Sequence, residues 1–221
     1  MKKSEYNDLL ELIKTNCSNY NDAKIQSKLI DQFLGFNCES VELSLISQKS
    51  NQFSSKKMWI GLDTQSFQTP YSEIYEMIKL LNPKDDEHWV DLGAAYGRMG
   101  IVLALVSPNV TFSGYECVSE RVVEGNRIIS KWSLKNIELK LIDIATQEFN
   151  LETADLYFIY DFGSRDDIYY ILEKLRVLAG KKSIRVIARG RGVRQWIMQD
   201  FPWLSAMTPP QHFLNWSVFQ S

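Results

Sequence analysis

Four carboxylates close four successive short runs of β-forming residues in this chain. Asp91 lies in "HWVDL" (88–92), Glu116 ends "VTFSGYE" (110–116), Asp143 ends "IELKLID" (137–143) and Asp161 ends "DLYFIYD" (155–161). Beyond Asp91 the side chains shrink: Gly93, Ala94, Ala95 and Gly97 surround Tyr96, and Gly100 follows. A turn stripped of bulk lets a ligand approach the main chain and the N-terminus of the next helix. A carboxylate at the mouth of such a turn opposes an anion and suits an amino group or another cationic centre. The dinucleotide fingerprint G-x-G-x-x-G, begun at Gly93, requires glycine at 95 and glycine or alanine at 98. This chain has Ala95 and Arg98, so that pattern fails. Glu116 follows Gly93 by twenty-three residues, where an acid takes the two hydroxyls of a ribose. Asp143 is placed for the exocyclic amine of an adenine, and Tyr160 with Asp161 shares the same rim.

These acids need a sheet to line them up. From about residue 84 onward, β-rich runs alternate with amphipathic stretches, predicting helices over 97–107, 119–132, 165–178 and 192–200, with a further strand at "SIRVIAR" (183–189). That alternation predicts a mostly parallel sheet covered on both faces. Near the end, "WLSAMTPP" and "FLNWSVFQS" leave no room for a crossover and predict a terminal antiparallel hairpin. Earlier, helical patterns at 4–16 and 22–35 precede two β-like runs, "VELSLIS" and "KKMWIGL", and a helix from Pro70 to before Pro83. The predicted division is an N-terminal cap over 1–69 and a ligand-binding domain over 70–221.

Composition narrows the class. At 221 residues the chain can close one substantial core. A net charge of −2 favours no partner on average. Six bases between Lys181 and Arg194 form a block suited to a solvated rim or to nucleic acid. Cys17, Cys38 and Cys117 lack metal-ligand spacing, and two histidines add little, so neither a metal site nor a disulfide framework is expected. "MKKSEYNDLLELIK" lacks a signal-peptide core, and no run reaches the length of a membrane span. The expectation is a reduced, cytoplasmic protein.

With these features assembled, the chain resembles the class I S-adenosylmethionine-dependent methyltransferases over about residues 70–221. "VDLGAAYGRMG" resembles their first motif, "GYE" and "LID" their ribose-side and adenine-side acids, and "IYDFG" stands at their fourth motif. The resemblance implies a Rossmann-like α/β fold, a seven-stranded sheet ending in an antiparallel hairpin, and S-adenosylmethionine as cofactor. Asp91 with Gly93, Ala94, Ala95, Tyr96 and Gly97 would hold the methionine part. Glu116 would hold the ribose, Cys117 would pack by the adenine, and Asp143 with Ile144 would border the base. Many members have glycine where Ala95 stands, a departure tolerable if the dihedrals there are ordinary. The segment "TPYSEIYEMIKLLNPKDDEHWVDLGAAYGRMG" also resembles prokaryotic relatives of the ATP synthase c-subunit lysine methyltransferase. That likeness implies a protein lysine as acceptor and Tyr71 lying over the cofactor.

On the catalytic side, Tyr160 and Asp161 are the candidates for orienting an acceptor, although Asp161 also suits a bond within its own turn before Gly163. RNA, favoured by the 181–194 block, and a small molecule stay open as acceptors. In the small-molecule case, loss of residues 1–60 would alter acceptor choice more than cofactor affinity. A non-catalytic sensor or scaffold that keeps the cofactor fold is the alternative of another class.

Overall fold

Strand β1 (His88–Leu92) sends Trp89 into one apolar core and Val90 and Leu92 into a second. Strand β4 (Leu156–Tyr160) divides Leu156 and Phe158 from Tyr157 and Ile159 in the same way. This two-residue period, apolar on both sides, is the mark of a strand buried between helical layers. The computed structural model describes residues 3–48, 59–146 and 149–221. Within it the sheet has seven strands, adding β2 (Thr111–Glu116), β3 (Ile137–Leu141), β5 (Arg185–Arg189), β6 (Gln211–His212) and β7 (Trp216–Gln220). Their order is β3-β2-β1-β4-β5-β7-β6. The first five run parallel, and β7 lies antiparallel between β5 and β6. The chain leaves β1 toward β2 and β3, then returns to lay β4 on the other side of β1. That reversal opens a crevice at the carboxyl ends of the central strands, where such sheets bind ligands.

Helices α5 (Arg98–Val106), α6 (Ser119–Lys131), α7 (Arg165–Ala179) and α8 (Arg191–Asp200) fall where the periodicity predicts them. Helix α7 starts with a capping box, Ser164 against Asp167. Helices α1 (Lys3–Lys14), α2 (Tyr20–Leu34) and α4 (Tyr71–Leu81) join the first core, with Leu9, Ile13, Ile30 and Leu34 clustered with Tyr71, Ile74, Met77 and Ile78.

Three expectations are corrected. "VELSLIS" lies within helix α3 (Cys38–Gln48). Cys38, Glu42 and Leu45, spaced four and three apart, are its buried residues, and Val41, Leu43 and Leu45, two apart, supplied the misleading alternation although Leu43 is exposed. In "KKMWIGL", residues 60–62 form a turn and bend, and 56–58 lie outside the described residues. "WLSAMTPP" supplies a short 3-10 helix, Pro202–Ser205, and no strand. The hairpin lies beyond the two prolines, which have no amide to give a ladder.

Four of the six cations of the 181–194 block are paired within the chain, Lys182 at the surface. Lys182 pairs with Asp155, Arg185 with Glu87 and Arg189 with Glu73, while Arg194 donates to the carbonyls of Phe213 and Leu214. Among the described residues no helix is long and apolar enough to cross a membrane.

Candidate functional site

A cavity of about 270 Å³ opens over the carboxyl ends of the central strands. Gly93, Ala95, Glu116, Cys117, Asp143, Ile144, Tyr160 and Asp161 line it, so eight of the predicted site residues converge. A recess of about 20 Å³ adjoins it, sharing Phe67, Gly93, Ala95 and Tyr160, and adds Asp91 and Ala94. Tyr71, Tyr96 and Gly97 line neither space. Tyr71, expected over the ligand, is fully buried with its hydroxyl on Asp31 at 2.8 Å, apart from both spaces. Tyr96 is equally buried and donates to Glu42 at 2.8 Å. Gly97 caps α5 with φ of 83°.

The turn after β1 is built from the main chain. The amides of Gly93 and Ala94 both donate to the Tyr115 carbonyl, at 3.0 and 2.8 Å. Gly93 has φ of 100°, which favours glycine, and a Cβ there would come within 3.2 Å of Phe162, which would have to give by a few tenths of an ångström. Ala95 sits at φ of 48°, in the left-handed region. The condition of ordinary dihedrals therefore fails, and the methyl carries a strain of about 1 kcal/mol. Its amide donates to Glu116 Oε2 at 2.9 Å, and the Val118 amide donates to Oε1 at 2.9 Å. Two amides thus orient the Glu116 carboxylate, which has lone pairs to spare for a ligand.

Asp91 is only 5% exposed, and its Oδ1 has no hydrogen-bond partner among the described residues. Burial, and then the charge of Glu116, raise its pKa well above the ordinary carboxylate range. A buried acceptor left bare costs roughly 1–3 kcal/mol, so this atom is open to a donor from a water or a ligand. Thr69 Oγ1 and Arg98 Nε are also buried and bare, and both residues line the same recess.

Further along the rim, both oxygens of Asp161 accept amides of α8, from Val193 at 2.7 Å and Gly192 at 3.2 Å. The Tyr160 hydroxyl donates to the Ser66 carbonyl at 3.3 Å, and the Arg189 guanidinium lies 4.2 Å from its ring centre. Asp143 Oδ1 accepts from the Ala145 amide at 3.0 Å. The opposite wall, Trp59, Leu62, Ser66 and Phe67, comes from the N-terminal segment. Sequence reasoning missed it, as it missed Thr69, Arg98 and Arg121. The one available signal was an arginine on the apolar side of each of two helices, which calls for a buried acid.

A parallel sheet in this order, closed by an antiparallel pair and carrying an acid-rimmed crevice, is the class I methyltransferase fold. Two solved structures make the likeness concrete. The chain superposes on a precorrin-6Y C5,15-methyltransferase from Geobacter metallireducens with a TM-score of 0.52, 14% identity, and 72% of this chain and 91% of that one covered. It superposes on an RNA methyltransferase from Salinibacter ruber, in complex with S-adenosyl-L-homocysteine, with a TM-score of 0.50, 16% identity, and 69% and 91% covered. At such identities the likeness speaks to the fold. No protein-family model matches the chain, and no curated protein matches it in sequence.

Proposed function

We propose that the protein binds S-adenosylmethionine and transfers its methyl group to an amine, that of a protein lysine. The observation that carries the first half is the bare, buried Asp91 Oδ1 set beside the oriented Glu116 carboxylate. Asp91 would take the ammonium of the cofactor's amino acid arm, and Glu116 the ribose hydroxyls. Cys117 and Ile144 would flank the adenine, with Asp143 at its edge. The bound cofactor supplies a methyl group already activated on a sulfonium, so the chain needs to position and exclude water more than to activate. With both oxygens of Asp161 tied to α8, that residue would shape the rim and leave acceptor orientation to the Tyr160 ring and hydroxyl.

Support for an amine comes from the walls. Trp59, Phe67, Tyr160 and Phe162 present aromatic surface around the cavity, which suits the aliphatic stem and amine of a lysine. The commitment of four basic side chains of the 181–194 block to internal partners speaks against RNA.

The deciding experiment incubates the protein with methyl-labelled cofactor and a fractionated lysate. Label in protein, on lysine after hydrolysis, is the expected result. Label in RNA or in small molecules would replace the acceptor class. Cofactor binding with no label anywhere would favour the sensor. Absence of calorimetric heat with S-adenosylmethionine and with S-adenosylhomocysteine would sink the cofactor itself.

A further inference from the structure

Two carboxylates of the N-terminal segment pair with arginines that line the proposed cofactor cleft. Asp31 of α2 pairs with Arg98 at the start of α5. Glu42 of α3 pairs with Arg121 of α6 through two contacts, at 2.8 and 3.1 Å. All four are buried: Asp31 is 6% exposed, Glu42 4%, Arg98 3% and Arg121 2%. Each acid also accepts the hydroxyl of a tyrosine, Tyr71 on Asp31 and Tyr96 on Glu42, both at 2.8 Å.

The two arginines stand at different ends of the cleft. Arg98 lines the recess with Asp91 and Thr69, and also donates to Gln65 Oε1 at 2.8 Å. Arg121 lines the larger cavity, 3.9 Å from Glu116 Oε1, with its guanidinium 4.4 Å from the Phe67 ring centre. Burying an ion pair costs desolvation that an apolar contact avoids, so two such pairs are a poor way to fasten a mere cover. What they do is hold two guanidinium groups still. The bare Arg98 Nε and Thr69 Oγ1 then supply donors beside the bare acceptor of Asp91. The recess itself has room for about one water, so an α-amino acid group seated in the adjoining cavity, with carboxylate and ammonium on one carbon turned toward the recess, matches that set.

We propose that the N-terminal segment is a working part of the cofactor site. Asp31 positions Arg98, which with Thr69 binds the carboxylate of the amino acid arm, and Glu42 positions Arg121 against Glu116 at the ribose end. Asp31 and Glu42 are positioning residues, Arg98 and Thr69 binding residues. The inference rests on the cofactor reading above and differs from the expectation that this segment governs acceptor choice alone.

Two ligands separate the roles. S-adenosylhomocysteine carries the amino acid arm, and 5′-methylthioadenosine keeps the nucleoside and lacks that arm. Affinities are measured by calorimetry, or by displacement of labelled S-adenosylhomocysteine where binding is weak. Thr69→Val and Asp31→Asn are expected to weaken S-adenosylhomocysteine by about tenfold and to leave methylthioadenosine within about twofold. Glu42→Gln is expected to weaken both ligands by the same factor. If Asp31→Asn and Thr69→Val leave both affinities unchanged, or lower both equally, the pairs only hold the fold, the recess serves a buried water, and the proposal fails. Should Asp31→Asn not fold, the near-isosteric Thr69→Val decides alone. Wild-type protein that binds neither ligand overturns the cofactor reading itself, a result distinct from loss of selectivity in the variants.

Discussion

If Asp91 takes the cofactor's ammonium as proposed, this one side chain favours ligand binding at the expense of the empty fold. Its folded pKa is raised by burial and by Glu116. An acid raised in this way binds more protons folded than unfolded between its two pKa values. The ligand-free fold therefore loses stability as pH climbs from the ordinary carboxylate range, about 4, through the raised value. Asp91→Asn removes that titration and supplies an amide in place of a bare carboxylate. The variant should melt higher than the parent without ligand, by about 1–2 kcal/mol at neutral pH. The gap should shrink as pH falls toward about 4. With S-adenosylhomocysteine the order should reverse, because the parent alone gains from the ammonium. Melting curves across pH, with and without ligand, check both halves; a variant less stable than the parent at every pH would refute the account. Ala95 carries the complementary strain. At φ of 48°, replacing it by glycine should stabilise the protein by roughly 0.5–1 kcal/mol. The gain reads as a rise in melting temperature of about 2 °C, with ligand affinity kept or improved.

At the scale of elements, the site depends on how closely α6 lies against the turn after β1. A Cβ on Gly125 would come 2.8 Å from the Tyr96 carbonyl oxygen and 2.3 Å from the Leu139 side chain. Gly125→Ala should therefore push α6 outward, costing about 1–3 kcal/mol. It should also weaken S-adenosylhomocysteine, since Arg121 rides on the same helix; unchanged affinity in calorimetry would show that the turn does not feel α6. The strands and helices of 88–200 were legible in the sequence because their apolar residues recur at two or at three-to-four spacing, and each acid marks a strand end. Asp143 was read into its strand two residues too far, since β3 stops at Leu141. Helix α3 was misread because Val41, Leu43 and Leu45 recur at a spacing of two, with Leu43 facing outward, and imitate a strand. The far wall of the cavity was not legible at all. Phe67 and Thr69 lie in a segment without periodicity, and the pairs Asp31–Arg98 and Glu42–Arg121 join residues 67 and 79 positions apart. No local pattern encodes such a meeting; only the folded topology does.

For the molecule as a whole, the question is whether residues 70–221 can stand alone. Leu9, Ile13, Ile30 and Leu34 share one core with α4, α5 and the sheet, and the Tyr6 hydroxyl donates to the Leu105 carbonyl at 2.6 Å. Each of those four aliphatic side chains contributes roughly 1.5–3 kcal/mol by burial, so their loss alone approaches the whole net stability of a typical domain. Truncation would also strip Arg98 and Arg121 of the acids that hold them, leaving both guanidinium groups loose at the edge of the site. The expected outcome is that a fragment starting at residue 70 lacks a cooperative thermal transition and binds no S-adenosylhomocysteine. Near-ultraviolet circular dichroism and a melting curve on the purified fragment test this directly. A sharp transition with parental ligand affinity would mean that the N-terminal helices only cover a domain complete without them. A fragment that folds yet binds methylthioadenosine and not S-adenosylhomocysteine would instead locate the contribution of those helices at the amino acid arm.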